Sequence, residues 1–207
     1  MPNWCSERLT VSGDKPEITR FLKQAANREE AFDFDNFIRM PDEIKEVQDG
    51  AITIDGISYR YWKKVGDKDV GIGPAEMKVL NAKYGAVSWY DWSVAHWGTK
   101  WNVSEVSLSK ETREKVVYRF KTAWSPMSEE LLKEMSAQFP SLTFRLEFAE
   151  IGCMYVGWKQ ITSGILTGHE WNLTDKDFSQ NEDDDNDEYG PSYKHDDEYA
   201  ELVESSG

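Results

Sequence analysis

The sequence predicts an α+β fold, an antiparallel sheet with helices on one face, followed by a disordered acidic C-terminal tail. Two observations carry the first part. Strand-like and helix-like segments alternate along the chain, and the clearest strands are one-sided. A strand with one apolar face needs cover on that face only, which is the pattern of an antiparallel sheet backed by helices. A third observation carries the tail. Residues 174–207 hold 13 acidic and 2 basic residues, a net charge of −11, whereas the preceding 173 residues hold 25 and 22, a net charge of −3.

The first strand is expected over residues 4–12, with Leu9 and Val11 on one face. Asp14 then reads as a helix N-cap, with Glu17 completing a capping box. Ile18, Phe21, Leu22 and Ala25 follow at helical spacing. The stretch FDFDNFIRM (32–40) alternates and reads as a strand ended by Pro41. Residues 51–62 predict a hairpin about Asp55-Gly56, inside an excursion from the main sheet over about 42–75. Pro74 starts a helix carrying Met77, Leu80 and Tyr84, and Gly85 interrupts it. Trp89–Trp97 reads as a second short helix ended by Gly98.

Strands are expected over 101–109 and 115–124. In the second of these, Val116, Tyr118, Phe120, Thr122 and Trp124 face one way, and Val117, Arg119, Lys121 and Ala123 the other. Ser125-Pro126 opens the next helix, whose buried face is Leu131, Leu132, Met135 and Phe139. Leu142, Phe144, Leu146 and Phe148 alternate in the strand that follows, with Thr143, Arg145 and Glu147 opposite them. Residues 154–161 and 165–171 predict a last hairpin around Ser163-Gly164.

Composition excludes several classes. No apolar run approaches the length of a membrane span, and MPNWCSERLT lacks the basic and apolar regions of a secretory signal. A cytoplasmic location is therefore expected. Cys5 and Cys153 have no metal-ligand spacing and are expected to be reduced core residues. No catalytic motif appears: His96, His169 and His195 are scattered, and no HExxH, GxSxG or Cys-His pattern is present. No cofactor, metal site or catalytic residue is predicted. Asp33, Asp35 and Asp91 read as solvated or capping groups.

Two features invite a binding role. The stretch WYDWSVAHWGTKWN (89–102) concentrates aromatics around Gly-Thr-Lys. A stacking or anion-binding site there would use Trp97, Thr99, Lys100 and Trp101, while a structural reading places the same rings where helix meets sheet. The acidic tail, with Asp183, Asp184, Asp185, Asp187 and Glu188 at its centre, reads as a solvating extension or as a charge mimic of nucleic acid that engages a basic partner. The near-balanced body shows no footprint for duplex DNA.

MPNWCSERLTVSG, FDFDNFIRMP, WYDWSVAHWGTKWN and FKTAWSP together resemble the YubB-type, Api92-like family of plasmid and phage proteins, over roughly residues 1–160 with a gap at 42–75. The family pattern has Asn where Glu7 stands, Pro where Arg39 stands and a second Pro where Met127 stands. The acidic tail lies outside this resemblance. The resemblance implies a ferredoxin-like (βαββαβ-related) fold and no established biochemical activity. The chain is expected to divide into an N-terminal α+β region (1–85) with an inserted hairpin (about 42–75), a ferredoxin-like region (86–172) and the acidic tail (173–207).

The function expected from all this is a non-catalytic accessory protein of a mobile element that inhibits or engages a host nucleic-acid-handling or defence complex. Its partner would be a protein, such as a basic nucleic-acid-binding host protein. One alternative is a small hydrolase or transferase whose Trp-lined pocket holds Lys100 and Asp91. Another is direct nucleic-acid binding. The sequence argues against the latter, because the aromatics of 115–124 and 142–148 alternate onto the helix-covered face. Only a weak phosphate contact through Arg119, Lys121 and Arg145 survives.

Overall fold

The computed structural model describes residues 3–110 and 112–173. The expected acidic disordered tail lies outside them. β1 (Trp4–Ser12) buries Cys5, Glu7, Leu9 and Val11 and turns Trp4, Ser6, Arg8 and Thr10 the other way. α1 (Lys15–Ala25) buries Ile18, Phe21 and Ala25, as its spacing predicts. Its capping box does not form. Asp14 makes no side-chain cap bond, and Glu17 pairs with Arg20 at 2.7 Å.

Residues 32–40 are not a strand. The carboxylate of Asp33 accepts hydrogen bonds from the Asp35 amide (2.9 Å) and from the side-chain amides of Asn27 and Asn102 (2.6 Å each), which winds Phe34–Asn36 into a 3-10 turn. Asp35 then accepts from the Met40 amide (2.8 Å) and Lys45 Nζ (2.9 Å). Local side-chain bonds of this kind compete with sheet ladders. Phe32, Phe34, Phe37 and Met40 all end in the core, a spacing no strand would give.

α2 (Asp42–Lys45) leads into β2 (Gln48–Ile54), β3 (Ile57–Val65) and β4 (Lys68–Gly71), which form a sheet of their own in the order β2-β3-β4. The expected hairpin is thus real and gains a third strand. Asp55 and Gly56 supply its positive φ, at 51° and 79°. α3 (Pro74–Tyr84) ends at Gly85 (φ 71°), and α4 (Trp89–His96) follows. Ser88 caps α4: its Oγ accepts from the Asp91 amide at 3.1 Å and donates to the Asp91 carboxylate at 2.8 Å.

The remaining elements are β5 (Ser104–Lys110), β6 (Lys115–Ala123), α5 (Glu129–Gln138), β7 (Thr143–Glu150), β8 (Tyr155–Thr162) and β9 (Ile165–Asn172). α5 starts later than expected, because Ser128 rather than Ser125 is its cap, accepting from the Leu131 amide at 3.1 Å. The main sheet is antiparallel throughout and runs β5-β6-β1-β7-β8-β9.

Taken as β1-α1-β5-β6-α5-β7, the chain has the βαββαβ order of the ferredoxin-like fold, with β8 and β9 added beyond β7. β1 lies between β6 and β7, so residues 1–85 and 86–172 share one sheet. β2–β4 form a second sheet and, among the described residues, are not hydrogen-bonded to it.

The core is an aromatic stack on one side of the sheet. Phe21 of α1 packs within 5.2–6.1 Å of Phe37, Tyr118, Phe139 and Phe144, and Phe32 sits 5.0 Å from Tyr118. Tyr118 is fully buried, and among the described residues its hydroxyl has no hydrogen-bond partner. Burial drives its pKa upward. An orphaned buried hydroxyl costs about 1–3 kcal/mol. Tyr118→Phe should therefore leave the urea midpoint unchanged or raise it, by up to ~2 kcal/mol in stability. Phe21→Ala should lower the midpoint, with a loss of ~3–5 kcal/mol in stability.

Candidate nucleic-acid interface

The site predicted at Trp97, Thr99, Lys100 and Trp101 divides in two. Trp97 is buried, its indole donating to the Ile38 carbonyl at 2.9 Å and its ring 5.4 Å from Trp92 and 6.1 Å from Phe34. Thr99 is buried too. Its hydroxyl donates to the Ala123 carbonyl (2.9 Å) and accepts from the Ala123 amide (3.0 Å), completing the end of β6. Gly98 makes the turn between them, with φ +80° and a backbone so close to Ser128 that a Cβ would meet its nitrogen at 2.9 Å. These residues hold structure together.

Lys100 and Trp101 face outward. Lys100 Nζ lies 4.5 Å from the Trp101 ring centroid, 5.3 Å from Trp124 and 5.8 Å from Tyr90. Trp4 adds a fourth ring, 6.3 Å from Trp101. Trp4, Trp101 and Trp124 are each 36–40 % exposed, so the cluster gathers part-exposed rings around one cation. Asp91, paired with Lys100 in the enzymatic reading, is held by Ser88 at the start of α4.

Trp4 also belongs to the face of the sheet turned away from α1 and α5. On that face β1 places Ser6 and Arg8; β6 places Lys115, Arg119 and Lys121; and β7 places Arg145 and Glu147. Register sets Arg8 opposite both Arg119 and Glu147. β8 and β9 add Trp158 opposite His169, and Trp171 beside them. Glu147 is the acidic residue these strands direct there. It meets Arg8 at 3.5 Å and Arg145 at 3.1 Å, and Glu105 at the β5 edge meets Lys121 at 2.6 Å. The Arg145 guanidinium lies 4.7 Å over the Trp158 ring, and His169 stacks on Trp171 at 5.4 Å and 26°. Val117 and Val156, on the same face, are buried and give it a short apolar floor.

The face is therefore basic and aromatic at once. The rings within β6 and β7 turn to the helix-covered side as expected; those on this face come from β1, β8 and β9. The near-balance of the body's charge is likewise an average that the strands' alternation resolves into a basic surface.

Beneath the cluster sits a buried carboxyl. Glu7 is 3 % exposed on the core side of β1. Its carboxyl accepts from the Met127 amide at 3.1 Å and hydrogen-bonds the Thr122 hydroxyl, which also lies 2.7 Å from the Ser125 carbonyl. The Thr122 hydroxyl has one proton for two oxygens. Both contacts are satisfied when Glu7 is protonated and donates to Thr122, which then donates to Ser125. Burial pushes the Glu7 pKa up to about 8, against the hydrogen bonds from Thr122 and Met127 that lower it. The turn so held carries Trp124 at φ +74° into the exposed cluster.

Residues 7 and 127 thus touch each other, the Met127 amide donating to Glu7. Cys5, also on the core side, is buried, and its thiol pKa is raised by burial and by Glu7 and Glu150. Cys153 is not a core residue: it is exposed in the turn before β8, where Glu150 accepts from its amide. Both thiols are free.

Among the described residues no group of three or more His, Cys, Asp or Glu could hold a metal ion, and no helix is long and apolar enough to cross a membrane.

Residues 96–191 match a family model described as the ferredoxin-like domain in Api92-like protein. That match runs past β9 and takes in Asp183–Glu188, which the resemblance read in the sequence left out. A crystal structure of a protein Api92 from Yersinia pseudotuberculosis is similar in fold, with a TM-score of 0.52 and 12 % identity over 84 % of this chain and 99 % of that one. No curated protein matches. The Api92-like domain is one of unknown function, so function must be argued from the surface.

The buried carboxyl makes a pH prediction. The folded state keeps the Glu7 proton to about pH 8, while the unfolded chain releases it near its ordinary value of 4.5. Between those values the folded state binds more protons at this site, so the Glu7 contribution to stability is fully present below pH 4.5 and is lost as pH rises towards 8. Glu7→Gln keeps the acceptor for Met127 and a donor for Thr122. In urea titrations it should gain on the wild type across this window, by up to ~4 kcal/mol at its upper end.

Proposed function

We propose that the protein acts by binding, and that the open face of its sheet, with the Trp4–Trp101–Trp124 cluster at one end, takes a single-stranded nucleic acid. The observation that carries this reading is the interleaving of Arg8, Arg119, Lys121 and Arg145 with Trp158, His169 and Trp171 on one surface. Single strands are bound by a basic groove that follows the backbone together with rings on which unstacked bases lie. Guanidinium groups serve both roles, pairing with phosphate and stacking on a base. A duplex hides its base faces and would use the charge alone.

This reading fits an accessory protein of a phage or plasmid, the setting implied by the family the sequence resembles. The charge of residues 174–207 favours a second reading, in which that segment engages a basic host protein and inhibits it. The enzymatic alternative loses support, because Trp97 and Thr99 are core residues and the Asp91 carboxylate is bound by the Ser88 cap of α4.

Fluorescence anisotropy with labelled single-stranded DNA and RNA, and with duplexes of the same length, tests the proposal. Binding should favour single strands and weaken with salt, each phosphate contact contributing a log–log slope of about −0.7. Arg119→Gln should lower that slope by about one such contact. Trp158→Ala should weaken binding roughly ten-fold or more with the slope unchanged. Equal affinity of wild type and both variants would overturn it.

A further inference from the structure

We infer that the acidic segment 174–207 occupies the same open face in cis and competes there with the nucleic acid; this rests on the reading of that face given above. The first support is charge. The segment carries −11, and β1, β6 and β7 direct Arg8, Lys115, Arg119, Lys121 and Arg145 to the face against Glu147. The second is the point of departure. Leu173 is buried, and its amide donates to the Met154 carbonyl, so the chain leaves the sheet at a fixed place beside Trp171 and His169.

The third support is reach. Six strands at about 4.8 Å spacing are roughly 24 Å across, and a chain of the 34 residues from Thr174 to Gly207 can span up to about 110 Å. The fourth is composition. Tyr189, Tyr193 and Tyr199 are spaced among the carboxylates, so the segment offers anions and rings in alternation, as a single strand offers phosphates and bases. The family-model match, which continues to residue 191, keeps most of the acidic run with the domain.

Tethering makes a weak contact sufficient. A covalent connection holds the segment near the face at an effective concentration on the order of 1 mM. An intrinsic dissociation constant of about 0.1 mM would then fill the face to roughly 90 % and weaken a competing ligand about ten-fold. Because the contact is between charges near the surface, it fades as salt shortens the screening length to a few ångströms.

The test compares the full chain with the full-length variant Asp183→Asn, Asp184→Asn, Asp185→Asn, Asp187→Asn, Glu188→Gln. Oligonucleotide affinity should rise about ten-fold in the variant at low salt, and the two proteins should converge at about 0.5 M salt. A second readout needs no oligonucleotide. NMR signals of the Arg8, Arg119 and Arg145 Nε–H and Trp158 indole groups should shift between the two proteins at low salt, and the wild-type signals should move towards the variant's as salt rises.

Shifted NMR signals with no oligonucleotide binding by either protein would keep the cis contact and remove the nucleic-acid reading. Equal oligonucleotide binding with unshifted signals would overturn the cis contact and leave that reading standing. Shifts that grow with protein concentration would place the segment on a second copy and overturn the cis contact as well.

Discussion

β1 is paired along its whole length on one side with β6, from Trp4 to Ser12, and over Ser6–Ser12 with β7 on the other. Everything else in the main sheet depends on that double pairing. β6 and β7 meet no other common partner, so without β1 they would not belong to one sheet. Its two rows also differ as sharply as any in the molecule: Cys5, Glu7, Leu9 and Val11 inward, Trp4, Ser6, Arg8 and Thr10 outward. A one-residue slip would exchange them, burying a guanidinium and exposing the core. The segment matched by the family model begins at residue 96, yet its strands need residues 4–12 to close the sheet.

The same strand joins the interior to the surface. Glu7 keeps a neutral carboxyl under the turn that presents Trp124, while two residues on either side of it, Cys5 and Leu9, fill the core. The Met127 amide meets that carboxyl at 3.1 Å, so one local hydrogen bond ties β1 to the turn that precedes α5.

Much of this was legible in the sequence. The two-residue period of 116–122 and 142–148 placed their inward rows, and Pro74, Gly85 and Asp55-Gly56 marked boundaries where they occur. Trp124, expected on the inward row, lies past the end of β6 at φ 74° and is exposed, because the positive φ breaks the alternation. The failures have identifiable reasons. FDFDN has strand-like alternation, but Asp33 and Asp35 offer side-chain acceptors that wind it into a turn, and the partner Asn102 is far away in sequence. Of the four residues proposed for the Trp-rich site, composition could not separate Trp97 and Thr99 from Lys100 and Trp101, since burial is decided by the Ile38 and Ala123 carbonyls. The open face was missed because Arg8, Trp158 and His169 each look unremarkable along the chain. Only register puts them on one surface.

The sheet closes on neither side. β5 and β9 are its edges, and an edge strand offers unpaired amides and carbonyls to any other strand that approaches. β5 is interrupted: its pairing with β6 shifts between Ser104 and Ser107, and Glu105 sits at φ 53°, which bends that edge away from a flat template. β9 pairs evenly with β8 over all eight residues and has no such irregularity. Just beyond β9, after Leu173, the −11 segment begins. Two copies aligning along β9 would bring two such polyanions together, and that repulsion opposes edge-to-edge polymerisation. A charge of that size directly after β9 in sequence would thus disfavour growth of the sheet along its one regular border.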